Sequence, residues 1–167
     1  PIDEVLIKGW VRTKRDSKDF SFIEVNDGSC LKNMQIIVDN TTDNYKDIIR
    51  ISTGSAVAIR GKLEASKGHG QQWEVVAGSV ELLNIANENY PLQKKPHTDE
   101  FLRNIAHLRP RTNKYVASFR IRSELSYAIH NFFRNKGFRY SHSPIITGSD
   151  CEGAGELFRV TTIDPDD

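Results

Sequence analysis

The chain has 167 residues, 38% of them hydrophobic and 27% charged, a balance that excludes a disordered chain and suffices to bury a core without a disulfide or metal staple. No stretch approaches roughly 18 consecutive apolar residues, which excludes a transmembrane helix, and Pro1 to Lys8 lack the basic-then-apolar order of a signal peptide. The net charge of +1 conceals an asymmetry: Phe101 to Pro144 holds nine Lys or Arg against the single acid Glu124, whereas Asp150 to Asp167 holds six acids against Arg159. A basic middle points either to a polyanionic partner or to a solvated helix face.

Cys30 and Cys151 lie far apart, which points to a reducing, cytoplasmic compartment, the alternative being a single bridge between them. His69, His97, His107, His130 and His142 are scattered, and none pairs with a cysteine or another histidine at zinc-finger spacing, so no metal is expected. A chain opening on Pro1 leads us to expect a natural start that lies upstream or was trimmed.

In chain order, Val5 to Lys14 reads as a strand with Val5, Ile7 and Val11 on one side, and Phe20 to Asn26 as a second. Asn26-Asp27-Gly28-Ser29 is a turn cluster, and Leu31 to Asp39 a third strand with Met34, Ile36 and Val38 on one face. Tyr45 to Ser52 predicts a short helix, and Ala56 to Leu63 and Gln72 to Leu83 two more strands around the loop Lys67-Gly68-His69-Gly70. Three strands, a short helix and two strands is the order of an OB-fold, a five-stranded Greek-key barrel, although small SH3-like barrels compete. Asn84 to Pro96, rich in Asn with two prolines, reads as the body of a linker. Asn113 to Lys136 predicts a long helix, with Ile121, Leu125, Ala128, Ile129 and Phe132 on one face and Gly137 as its left-handed stop. Phe138 to His142 reads as a strand ending at Pro144.

Strand alternation suggests a site. If Ile23 and Val25 point into the barrel, Phe20 and Phe22 point out; if Met34, Ile36 and Val38 point in, Gln35 points out beside them. Arg12, Lys14, Arg15 and Lys18 lie just upstream, and Glu81 lies near the end of the fifth strand. Outward aromatics stack bases, at about 1–3 kcal/mol each, and basic side chains hold phosphates. The alternative is a phenylalanine face covered by another segment, with Glu81 a solvated strand-end charge.

Gly9-Trp10-Val11-Arg12-Thr13-Lys14-Arg15-Asp16 and Phe20-Ser21-Phe22-Ile23-Glu24-Val25-Asn26-Asp27-Gly28 resemble the anticodon-binding OB domain of class IIb aminoacyl-tRNA synthetases. Phe119-Arg120-Ile121-Arg122-Ser123 through Gly137-Phe138-Arg139-Tyr140 to Pro144 resembles class II motif 1, and Thr147-Gly148-Ser149-Asp150-Cys151-Glu152-Gly153-Ala154-Gly155-Glu156-Leu157-Phe158 resembles the asparaginyl branch in particular. The resemblance runs from about Val5 to Thr162. It implies that Arg15, Phe22, Gln35 and Glu81 bind the anticodon, chiefly its middle uridine. It also implies that Glu152, with Ser149 and Glu156, contacts the amino acid, and that Phe132 and Pro144 belong to a dimer interface. His107-Leu108-Arg109-Pro110-Arg111 resembles the hinge that touches tRNA.

These readings together predict an all-β OB barrel at 1–83, a linker or hinge at 84–112, and at 113–167 an α+β segment from the start of a class II catalytic domain. The implied partners are tRNA(Asn), asparagine, ATP and a second copy, with no membrane; ATP and Mg²⁺ are the implied cofactors of the whole enzyme and neither is expected on this chain. The arginines of motifs 2 and 3, which grip the phosphates of ATP, do not occur before the chain stops at Asp167. Phe119-Arg120-Ile121-Arg122-Ser123-Glu124 only superficially resembles motif 2, because it sits in a helical period ahead of Pro144. No Gly-rich phosphate loop and no Ser-His-Asp or Cys-His constellation is visible. The chain is therefore expected to bind tRNA without activating asparagine. The rivals are a stand-alone OB module for single-stranded nucleic acid, a structural barrel with a dimerising helix, and an aspartyl relative of relaxed specificity.

Overall fold

The computed structural model describes residues 2–68, 70–148 and 160–163. They fall into two compact units, Pro1–Ser123 and Glu124–Asp167. The first is built on five strands: β1 (Ile2–Asp16), β2 (Phe20–Asn26), β3 (Met34–Asp39), β4 (Ala56–Ala65) and β5 (Trp73–Asn84), with helix α1 (Tyr45–Ile49) between β3 and β4. They close a barrel in the order β1-β2-β3-β5-β4, with β4 returning to β1. Only β3 and β5 run parallel, and a parallel pair needs a long connection, here supplied by α1 and β4. This is the OB arrangement expected from the element order.

Alternation fills the barrel. Val11, Ile23, Val25, Ile36, Val38, Val57, Ile59 and Val75 are buried, and Ile48 of α1 joins the same cluster. Asn44, in the left-handed conformation at φ 59°, begins α1 and donates from Nδ2 to the Val80 carbonyl at 3.1 Å, tying the helix to β5. One bulge changes the face of β1. Val11 pairs with Val25 but Thr13 pairs with Glu24, leaving Arg12 as the extra residue. Lys14 then lies opposite the inward Ile23, and its ammonium reaches the Ile49 carbonyl at 2.7 Å and Asp16 at 3.1 Å. A cation at the last carbonyls of a helix is favourably placed. Ser21, buried beside it, donates to Asp16 at 2.6 Å and lies 2.9 Å from the Tyr45 hydroxyl.

Several boundaries differ from expectation. The third strand starts at Met34, not Leu31, because Asn26 claims the preceding turn: its Nδ2 donates to the Cys30 and Lys32 carbonyls, each at 3.1 Å, and to Asn33 Oδ1 at 3.2 Å. Helix α1 ends at Ile49 rather than Ser52. The predicted linker carries helix α2 (Asp99–Asn104), capped by Thr98, whose Oγ1 accepts from Phe101 N, and a 3₁₀ turn at Arg109–Arg111.

Helix α3 (Asn113–Asn135) follows and crosses from the first unit into the second. Gly137 ends it as expected, at φ 91°, with its N–H on the Arg134 carbonyl and the Phe138 N–H on the Phe133 carbonyl, the two bonds of a Schellman motif. Phe138–His142 is not a strand. An extended segment becomes a strand only against a partner, and no neighbour among the described residues offers it one. Among the described residues no helix is long and apolar enough to cross a membrane.

Candidate nucleic-acid interface

Strand register lays two rows of side chains across the outside of the barrel. Thr13 pairs with Glu24, Glu24 with Gln35, and Gln35 with Glu74, making one polar row over β1, β2, β3 and β5. Two positions along, Arg15 pairs with Phe22, Phe22 with Ile37, and Ile37 with Val76. Partners across a ladder share a face, so both rows look away from the core. Arg15, Phe22 and Gln35 are thereby brought together. The Arg15 guanidinium carbon sits 5.1 Å from the centre of the half-buried Phe22 ring. Phe22 and Gln35 are diagonal neighbours, about 7–8 Å apart in such ladders, within reach of one aromatic base. Phe20, 40% exposed, extends the aromatic surface along β2.

The polar row is ordered by hydrogen bonds. Glu24 accepts from Asn33 Nδ2 at 2.8 Å, and Glu74 accepts from Gln35 Nε2 at 3.4 Å and from Ser66 Oγ at 2.8 Å. The face can therefore stack a base on Phe22, read its edge with Gln35, and hold a phosphate with Arg15.

Glu81 does not join this group. It pairs with Ala58 on β4, seven positions along β5 from Glu74, or about 23 Å at the usual rise of a strand. The β5 carboxylate beside Gln35 is Glu74, which sequence reading missed. Its signal was present: Val75 and Ala77 point inward, so Glu74 points outward, but its meeting with Gln35 depends on β5 lying beside β3.

The basic residues separate as well. Lys14 is turned into the barrel end, and Arg12 donates to the Arg111 carbonyl and lies 3.5 Å from Asn113 Oδ1. Arg15 and Lys18 remain exposed. In the hinge-like segment, the Arg111 guanidinium stacks 4.6 Å above Trp10 and donates to the Tyr90 hydroxyl at 3.3 Å, and that of Arg109 lies 5.0 Å above Tyr115. Both arginines thus dock the segment within the first unit. Phe132 and Pro144 are exposed, Phe132 meeting Phe133 edge to face at 5.3 Å. Ser149, Glu152 and Glu156 lie outside the described residues. Among the described residues no group of three or more His, Cys, Asp or Glu is placed to hold a metal ion.

Known proteins agree with this architecture. The family model "OB-fold nucleic acid binding domain" matches residues 5–83, and "tRNA synthetases class II (D, K and N)" matches residues 98–166. The chain is 62% identical to an asparagine–tRNA ligase of Oleidesulfovibrio alaskensis and 56% identical to one of Geotalea uraniireducens, each over 98% of this chain and 36% of the relative. It thus spans little more than a third of the length of these relatives. In fold it resembles the asparaginyl-tRNA synthetase of Pyrococcus horikoshii complexed with asparaginyl-adenylate, at a TM-score of 0.83 and 22% identity, over 95% of this chain and 37% of that one. Residues 5–83 therefore belong to the OB-fold nucleic acid binding domains, and residues 98–166 to the class II tRNA synthetases (D, K and N).

Proposed function

We propose that the barrel reads a tRNA anticodon, its middle uridine foremost, on behalf of an asparagine–tRNA ligase. The observation that carries this reading is the meeting of Arg15, Phe22 and Gln35 on one outward face. The ring supplies a stacking platform, the amide a donor–acceptor edge and the guanidinium a phosphate contact. Glu74 takes the place beside Gln35 that the family resemblance lent to Glu81. The asparagine–tRNA ligases at 62% and 56% identity support the choice of tRNA(Asn).

The whole protein in this proposal joins asparagine to ATP, releasing pyrophosphate, and then passes the asparaginyl group from the adenylate to the 3′ end of the tRNA. ATP and Mg²⁺ serve that enzyme, in a cytoplasmic setting. Ser149, Glu152 and Glu156 are proposed to contact the amino acid, on the strength of the motif around them. The apolar face of α3, with Phe132, and Pro144 are proposed to meet a second copy.

A fluorescence anisotropy titration tests the reading, using anticodon stem-loops with uridine or cytidine at the middle position, each at two salt concentrations. Tighter binding of the uridine form is the expected result, with the preference lost on Gln35→Ala and both forms weakened on Phe22→Ala. Equal, salt-sensitive binding of both would leave a general nucleic-acid module.

A further inference from the structure

Three donors converge on one carboxylate oxygen at the edge of the reading face. Glu74 Oε2 accepts from Ser66 Oγ at 2.8 Å, from Gln71 Nε2 at 3.4 Å and from Gln35 Nε2 at 3.4 Å. Ser66 Oγ itself accepts from the Gly68 N–H at 3.0 Å and from Gln71 Nε2 at 3.1 Å. Glu74 is only 5% exposed, so these partners rather than bulk water decide where its carboxylate points. Ser66 and Gln71 come from the β4–β5 connection, and Gln35 comes from β3.

The consequence lies in the shape of a glutamine amide. Its two ends are nearly equal in size, and a half-turn exchanges oxygen and nitrogen. A free glutamine can therefore offer a base edge either polarity. Uracil presents an N3–H donor beside a carbonyl acceptor; cytosine presents an N3 acceptor beside an amino donor. One orientation of Gln35 complements the first base and the reversed orientation the second. An ionised carboxylate only accepts, so the end of Gln35 beside Glu74 must be Nε2. Turning the amide over would set Oε1 against Oε2 and lose the bond. The second N–H of Nε2 and the lone pairs of Oε1 then remain as a donor–acceptor edge of fixed order.

On the anticodon reading above, we propose that Ser66 and Gln71 are positioning residues that act through Glu74 to hold the Gln35 amide in the orientation that selects uridine over cytidine. Neither needs to touch the RNA. Their effect is on discrimination more than on affinity, because Phe22 stacks either base.

The test measures the ratio of cytidine to uridine stem-loop dissociation constants for the 167-residue chain and its Phe22→Ala, Ser66→Ala/Gln71→Ala and Ser66→Thr variants. The double alanine variant is expected to reduce the ratio about fivefold, the loss of one modest hydrogen bond's worth of discrimination, and to melt below the parent temperature because a buried carboxylate loses two donors. Ser66→Thr, which keeps the hydroxyl, is expected to retain the parent ratio. An unchanged ratio in the double variant, with Phe22→Ala still weakening the binding of both stem-loops, overturns the positioning role and leaves the anticodon reading standing. Binding indifferent to Phe22→Ala overturns both. Should the double variant fail to fold, the Gln71→Ala variant and the ¹⁵N resonance of the Gln35 side-chain amide decide. A resonance that shifts toward that of a free glutamine supports the lock, and one unmoved by Gln71→Ala overturns it.

Discussion

Arg15 and Phe22 face each other across the β1–β2 ladder, with the guanidinium carbon 5.1 Å from the ring centre. A cation above an aromatic face is held only weakly at an exposed site, so the arginine can yield the ring to a base and turn to a phosphate. Phe22→Ala should then weaken stem-loop binding by about 1–3 kcal/mol, the worth of one stacked base. Arg15→Ala should weaken uridine and cytidine forms alike and reduce the salt slope by about one. Anisotropy at several salt concentrations separates the two effects. An Arg15→Ala slope equal to the parent's would remove the phosphate role.

Much of this face was legible in the sequence because alternation is local. Ile23 and Val25 inward put Phe22 outward, and Ile36 and Val38 inward put Gln35 outward. Arg15 owes its place to the extra residue Arg12, and nothing in the composition around Arg12 announces a bulge. The same bulge sends Lys14 toward α1, which alternation from Val11 alone places outside. Glu74 was missed because its partner is set by strand order, and β3 meets β5 only once the barrel has closed. Phe138–His142 fails for the same reason: strand propensity is local and pairing is not.

Gly61 sits at the irregularity where β4 slips against β5, and a Cβ there would lie 2.2 Å from the Val76 carbonyl oxygen. Backbone on both sides of the contact leaves no flexible side chain to yield. Gly61→Ala is expected to destabilise the barrel by about 3 kcal/mol, at the upper end of overpacking costs. Gly78→Ala, whose Cβ would meet nothing closer than the Arg60 carbonyl oxygen at 3.8 Å, is the matched control and should be far milder. Urea denaturation of both variants measures the difference. Equal midpoints would show that the β4–β5 register can shift to accommodate the methyl group.

In the β2–β3 turn, Ser29 holds the Asp27 carboxyl below its ordinary value of 3.8, through its hydroxyl first and its backbone N–H second. The backbone N–H bond to Asp27 Oδ1 measures 2.8 Å. A carboxyl lowered in the folded state contributes stability that is complete above its unfolded pKa and disappears as pH falls through the folded one. The turn should therefore be indifferent to pH above about 4 and loosen below it. Ser29→Ala should raise the Asp27 pKa toward 3.8, read by carboxyl ¹³C chemical shifts in an acid titration. An unshifted titration would assign the effect to the backbone N–H alone.

Along α3, Ile121, Leu125, Ile129 and Phe132 recur at spacings of four, four and three, and each is 57–60% exposed. Such a stripe occupies one side of a helix, and each side chain fully buried on association would contribute about 1.5–3 kcal/mol before the cost of immobilisation. Self-association through this face is therefore expected at micromolar concentration, seen as a concentration-dependent mass in sedimentation equilibrium. Leu125→Glu should abolish it by setting a charge in the middle of the stripe, without touching the barrel proposed to bind RNA. Association that survives Leu125→Glu would move the contact to another surface. A parent chain that stays monomeric throughout would remove the dimer role proposed for Phe132 on this chain.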